Sequence, residues 1–286
     1  MQITTYGLDL AKRRMDMSNE SNLLSRREVM KRTVLGAGVV AVGALGANAS
    51  AMAAGMSGNP ANLLPTGAGT LQELSNRLAK APRRRDFKTV PMILTSPEQW
   101  DSEALDGLLH YAGGPKQVWD NTALTSPWLN LMRNAMNCQI WSFKHADFLC
   151  VSATHGSAHF ALYDNYIWNK YLATLTKGKW KANAWLKQPP ASATNPADFE
   201  DADGVFSPHD NSIIVLQRRG AVFLACHNEV WELTMGLHTK GINPDHLSHE
   251  EMAAEFTNHL IPGVVLTPGI VGTLPELELA GYQYAK

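Results

Sequence analysis

The sequence predicts an α/β domain, a mostly parallel sheet with helices on both faces. Three observations lead there. Two largely apolar runs, Asp147–Thr154 and Ala221–Ala225, suit strands covered on both faces, because a strand inside a parallel sheet buries both its sides. Between such runs, apolar residues return at helical spacing, as in Leu129, Met132, Met136, Ile140 and Phe143. Strand and helix candidates then alternate along the chain, the pattern that right-handed crossovers turn into parallel pairing.

Taken in order, residues 54–85 are rich in Gly, Pro, Ala and Asn with one helical patch at Leu71–Leu78, and read mostly as a flexible linker. The globular domain is expected over 86–286. Pro97–Tyr111 carries Trp100, Leu105, Leu108 and Leu109 at helical spacing and closes on Gly113-Gly114-Pro115. Gln117–Asp120 is a short strand candidate, and Ser126-Pro127 opens the next helix. The strand at Asp147–Thr154 ends in His155-Gly156, and a helix is expected over Ala158–Leu172. Residues 177–208 read as a long excursion, and loops of that length inside a domain are often functional. A helix at Asn211–Arg219, the strand at Ala221–Ala225, a helix from about Asn228, a strand at Val264–Thr267 and a helix at Ile270–Leu279 complete the chain.

The N-terminal segment reads as an address. Ser25-Arg26-Arg27-Glu28-Val29-Met30-Lys31 resembles the twin-arginine export motif. An uncharged, Gly- and Ala-rich run from Thr33 to Ala47 follows, too short and too weakly apolar to span a bilayer comfortably. Ala-x-Ala sites come next at Ala47-Asn48-Ala49, Ala49-Ser50-Ala51 and Ala51-Met52-Ala53. Residues 1–53 are therefore expected to be a Tat signal peptide that sends a folded protein through its translocon to the periplasm.

Charge excludes some function classes. The whole chain carries a formal charge of −1, and without residues 1–53 it holds 18 basic and 22 acidic residues. A nucleic-acid partner needs concentrated positive charge, and only Arg83, Arg84 and Arg85 cluster, which reads as a solvated hinge. Three cysteines, Cys138, Cys150 and Cys226, make no disulfide framework. No Gly-x-Ser-x-Gly elbow is present. The glycines 263, 269 and 272 fit neither a dinucleotide fingerprint nor a P-loop.

Three local patterns in the second half resemble the DsrE/DsrF-like family of small sulfur-relay proteins. They are Asp147-Phe148-Leu149-Cys150-Val151-Ser152-Ala153-Thr154-His155-Gly156; the run from Leu216 through Gly220 to Cys226-His227-Asn228; and the tail from Leu260 to Gly272, followed by Leu274, Leu277 and Gly281-Tyr282. The likeness covers roughly residues 117–286, in order. It implies a flavodoxin- or Rossmann-like three-layer domain, a cysteine at position 226 that accepts sulfane sulfur as a persulfide, a sulfur-relay partner protein, and homo- or hetero-oligomers. The N-terminal extension, the 177–208 excursion and an insertion at Asp245–Asn258 depart from the family pattern.

Cys226 leads the candidates on its own residues too. It is expected where a buried strand gives way to a helix, at the sheet edge where open α/β domains bind ligands. Helix-start N–H groups stabilise a thiolate there. The ordinary alternative is a buried small hydrophobe. His155, ending the neighbouring strand, is a candidate base or hydrogen-bond partner, or else a turn residue. Sulfur transfer of this kind requires no cofactor. A second reading is a non-catalytic binding or assembly module in which His155, His159, Cys226 and His227 hold a metal, since borderline-soft ligands gather in those positions. It supposes a helix from His155 that sets His155 and His159 on one face. Asp164, Asn165 and Glu229 are candidate outer groups, with nothing to select them. Cys150 reads as core, and Cys138 as exposed without an activating charge. Trp168, Trp180 and Trp185, with Lys177, Lys179 and Lys181, suit either a surface for an anionic partner or a solvated loop with aromatic anchors.

Overall fold

A computed structural model describes residues 63–190 and 193–286. The expected signal peptide at 1–53 lies outside the described residues. The described chain is a three-layer α/β domain. Its five strands are β1 (Lys116–Asn121), β2 (Leu149–Thr154), β3 (Val222–Cys226), β4 (Val265–Thr267) and β5 (Gln283–Ala285). They pair in the order β4-β3-β2-β1-β5, all parallel.

The helices are α1 (Gly69–Lys80), α2 (Ser102–Leu109), α3 (Trp128–Asn137), α4 (Asn165–Ile167), α5 (Ile213–Arg218), α6 (His227–Thr239), α7 (His249–Asn258) and α8 (Ile270–Leu279). A π-helical turn prolongs α3 through Cys138–Ser142, and another prolongs α4 through Trp168–Leu172 into Ala173–Leu175. Among the described residues no helix is long and apolar enough to cross a membrane.

Strand alternation builds two cores. Leu149, Val151 and Ala153 of β2, Val222, Leu224 and Cys226 of β3 and Val265 of β4 face one side, where Leu71 and Leu74 of α1, Leu108 of α2 and Ile270 and Leu277 of α8 cover them. Cys150, Phe223, Ala225 and Leu266 face the other, beneath residues of α3, α4, α6 and α7. β2 and β3 are buried at every position, which is why both read as unbroken apolar runs. β5 is short and mostly exposed, and the sequence gives it no strand signature.

Several expectations need correction. The linker reading of 54–85 fails from Leu63 onward. Leu63, Ala68, Leu71 and Leu74 are buried, and α1 packs on α2. Arg83 and Arg85 are no solvated hinge. Both reach the buried carboxylate of Asp101, at 3.7 and 2.8 Å, and Asp101 in turn accepts the Leu266 N–H at 2.7 Å. The helix expected over Ala158–Leu172 is divided. A 3₁₀ run, Gly156–Leu162, stops at Tyr163, which bridges Leu260, and α-helix resumes at Asn165 under an Asp164 cap. The inserted Asp245–Asn258 holds α7, started by a Ser248–Glu251 capping box and packed on α6. The 177–208 excursion is anchored: Val205 and Phe206 are buried with Leu63 and Val215, and Trp180 and Trp185 pack against the core.

Candidate functional site

The carboxyl rim of the sheet is where the candidate residues gather. Cys226 ends β3 and caps α6, and it faces the α8 side of the sheet. Its Sγ accepts two backbone hydrogen bonds, from Glu229 N–H in the first turn of α6 at 3.4 Å and from Ile270 N–H, the first residue of α8, at 3.3 Å. Two helix N-termini therefore converge on one sulfur, each bringing partial positive charge. Gly269 lets the β4–α8 turn come this close, since a Cβ there would lie 2.7 Å from Asn228 Nδ2.

The thiol is not simply acidified by this arrangement. Burial pushes its pKa up, the Ile270, Glu229 and Asn228 N–H groups pull against that rise, and the Glu229 charge adds to it. The net direction is upward, because the residue is only 4% exposed. The expectation that helix-start N–H groups would leave the thiol acidified is corrected accordingly: the resting form is the thiol, and its use as a nucleophile requires a base.

His155 follows β2, on the strand next to β3. β2 and β3 are in register through Thr154↔Ala225, and His155 continues the extended backbone of β2. Continuing that register by one step sets the His155 backbone opposite Cys226 on the same face, parallel strands being about 5 Å apart; the ring itself is turned to β1, and among the described residues the Cys226 sulfur bonds only backbone N–H groups. His155 Nε2–H donates to Asp120 Oδ1 at 2.7 Å. Asp120 is the penultimate residue of β1 and shares that face. Gly156 turns the chain immediately afterwards with φ of +54°, and its N–H donates to Glu229 Oε2 at 2.9 Å. Burial raises the Glu229 carboxyl above its usual range. Glu229 thus ties the β2 loop to α6 while its own N–H holds the sulfur.

The four residues of the metal reading do not converge. His159 Nε2 accepts the Cys226 N–H at 3.0 Å, so its proton sits on the buried Nδ1, which has no partner. Its ring meets Tyr163 edge-on at 5.1 Å, and burial pushes its pKa down to about 3. His155 lies before the 3₁₀ run in extended backbone, so the expected shared helical face with His159 does not form. His227 Nε2 lies 2.8 Å from the Pro91 carbonyl, and burial lowers its pKa. Among the described residues no group of three or more His, Cys, Asp or Glu side chains is arranged to hold a metal.

The remaining candidates fall elsewhere. Asp164 caps α4 and bonds His259 at 2.8 Å, and Asn165 accepts the Asn183 N–H. Cys150 is sealed in the opposite core with its pKa pushed up to about 12 by burial, Cys138 is exposed, and all three cysteines are free. Trp168 is buried with its Nε1–H on the Phe160 carbonyl, and Trp185 packs against it at 6.0 Å with Trp180 beyond. These rings anchor the excursion from inside, and Lys179 lies over Trp180 at 4.3 Å. Asp120, Tyr284 and Lys286 were not singled out by sequence reasoning. The available signal was an acidic residue at the carboxyl end of a strand beside a His-terminated one.

No protein-family model, curated protein or solved structure matches this chain.

Proposed function

We propose that this protein handles sulfane sulfur through Cys226, in the manner of the DsrE-like carriers its second half resembles. The observation that carries the reading is the convergence of two helix N-termini on the Cys226 sulfur, with Glu229 N–H at 3.4 Å and Ile270 N–H at 3.3 Å. Such donors stabilise the anionic sulfur of a Cys226 thiolate.

In the proposed step the Cys226 proton passes to His155 Nδ1. The thiolate attacks the outer sulfur of a small sulfane donor such as thiosulfate. A new S–S bond forms at Cys226, the donor's S–S bond breaks, and sulfite leaves with the electron pair. No net oxidant is needed, because the sulfur moves in its own oxidation state. A thiolate on an acceptor, a partner protein or a small thiol, then removes that sulfur and restores Cys226. The near-complete cover over Cys226 favours slender donors. With a twin-arginine leader at 1–53, the transfer belongs to the periplasm.

Sulfite release from thiosulfate, with a thiol acceptor present, is the test. The full chain should release sulfite catalytically, and Cys226→Ala should lose the activity while keeping its fold. Equal rates in the two proteins would reject the reading.

A further inference from the structure

We propose that Asp120 is the positioning residue of His155 and that the C-terminal tail braces it. The inference rests on the reading of His155 as the base for Cys226, and adds the groups that make it one. Asp120 Oδ1 accepts His155 Nε2–H at 2.7 Å. Its second oxygen accepts the Tyr284 hydroxyl at 2.7 Å, and Lys286 Nζ lies 3.7 Å from it. Register explains the convergence. Val118 pairs with Tyr284 and Trp119 with Ala285 between β1 and β5, so Lys286 falls opposite Asp120 on the same face.

The chemistry follows from which nitrogen carries the proton. A carboxylate accepts only, so the neutral imidazole keeps its proton on Nε2 and leaves the Nδ1 lone pair free to take the thiol proton. When it does, the Asp120 charge stabilises the imidazolium that forms. Asp120 is an anion in this setting: although burial pushes its carboxyl up, the hydrogen bonds from Tyr284 and His155 and the nearby Lys286 charge hold it below its usual range. The other charged or titratable groups that act on His155 are Glu229 from α6 and His159 from the 3₁₀ run. The tail acts as a clamp: an exposed three-residue edge strand contributes little to the core, yet it carries Tyr284, and Lys286 just after it also faces the far oxygen of Asp120.

Two measurements on the full chain test this separately from the functional reading. The first is ¹⁵N NMR of histidine-labelled protein, with His155 assigned by a His155→Gln variant. The expected result is the Nε2–H tautomer, lost in Asp120→Asn because the new amide presents an N–H to Nε2. An unchanged tautomer in Asp120→Asn overturns the proposal, whatever Cys226 does with sulfur. The second is the single-turnover rate of persulfide formation with thiosulfate. Asp120→Asn should lower the maximal rate about 100-fold and leave the half-saturating thiosulfate concentration unchanged. Asp120→Glu should restore part of the rate, and Tyr284→Phe should lower it several-fold. A wild-type rate in Asp120→Asn also overturns the proposal. No reaction in the wild-type chain rejects the sulfur reading, and the tautomer then decides the positioning role alone.

Discussion

Acid should weaken this fold through His159. The ring is fully buried, its Nε2 accepts the Cys226 N–H at 3.0 Å, and burial holds its pKa at about 3 against an ordinary 6.5. The sign follows from proton counting. Between those two values the unfolded chain binds a proton that the folded chain refuses, so stability is lost as pH falls through 6.5 and the loss saturates near 3. Between pH 7 and pH 5 this amounts to about 2 kcal/mol from His159 alone. Other groups titrate in the same range, so the measurement is a difference. His159→Gln keeps an acceptor for the Cys226 N–H and removes the titration. Urea unfolding of both proteins at pH 7, 6 and 5 should show the wild-type chain losing about 2 kcal/mol more than the variant over that interval. Parallel losses would refute the argument, and with it the placement of a neutral imidazole behind Cys226.

Two other substitutions test the frame that carries the site. Gly156→Ala forces φ of +54° on an alanine and brings its Cβ within 2.6 Å of the Thr122 carbonyl oxygen. Thermal unfolding should report a loss of about 2–3 kcal/mol, and a neutral effect would contradict the described turn between β2 and the 3₁₀ run. Leu71→Ala empties a buried position of α1 and should cost about 2–4 kcal/mol in denaturant unfolding. A loss below about 0.5 kcal/mol, typical of a surface position, would return residues 63–85 to the status of a tether.

What was legible in the sequence follows from burial on both faces. β2 and β3 bury every side chain, so their residues are apolar in succession and their ends could be read to within two residues. β5 has one partner strand and open solvent, and nothing in Gln283-Tyr284-Ala285 sets it apart from a tail. α1 commits only Leu71 and Leu74 fully to the core, too few to outweigh the Gly- and Pro-rich residues around it. The break at Tyr163 depends on its bridge to Leu260, a contact between distant segments that local spacing does not encode. The site was legible in the same uneven way. Cys226 and His155 stand out because each ends a strand. The part played by Asp120 could not be read, because it depends on the β1–β2 and β1–β5 registers, which are settled by packing across the sheet. The four proposed metal ligands fall in two close pairs along the chain, yet the His155 ring goes to Asp120, the His159 ring to the Cys226 backbone N–H and the His227 ring to the Pro91 carbonyl, so they share no centre.

The central claim is that one sulfur atom, Cys226 Sγ between two helix starts, is the one that takes up sulfane sulfur. Its most direct test is to incubate the full chain with thiosulfate, alkylate, digest and map the added mass by peptide sequencing. The account predicts a gain of about 32 Da, reversed by a reducing thiol, on the peptide bearing Cys226. Finding that gain on exposed Cys138 instead, or on no cysteine at all, would contradict it.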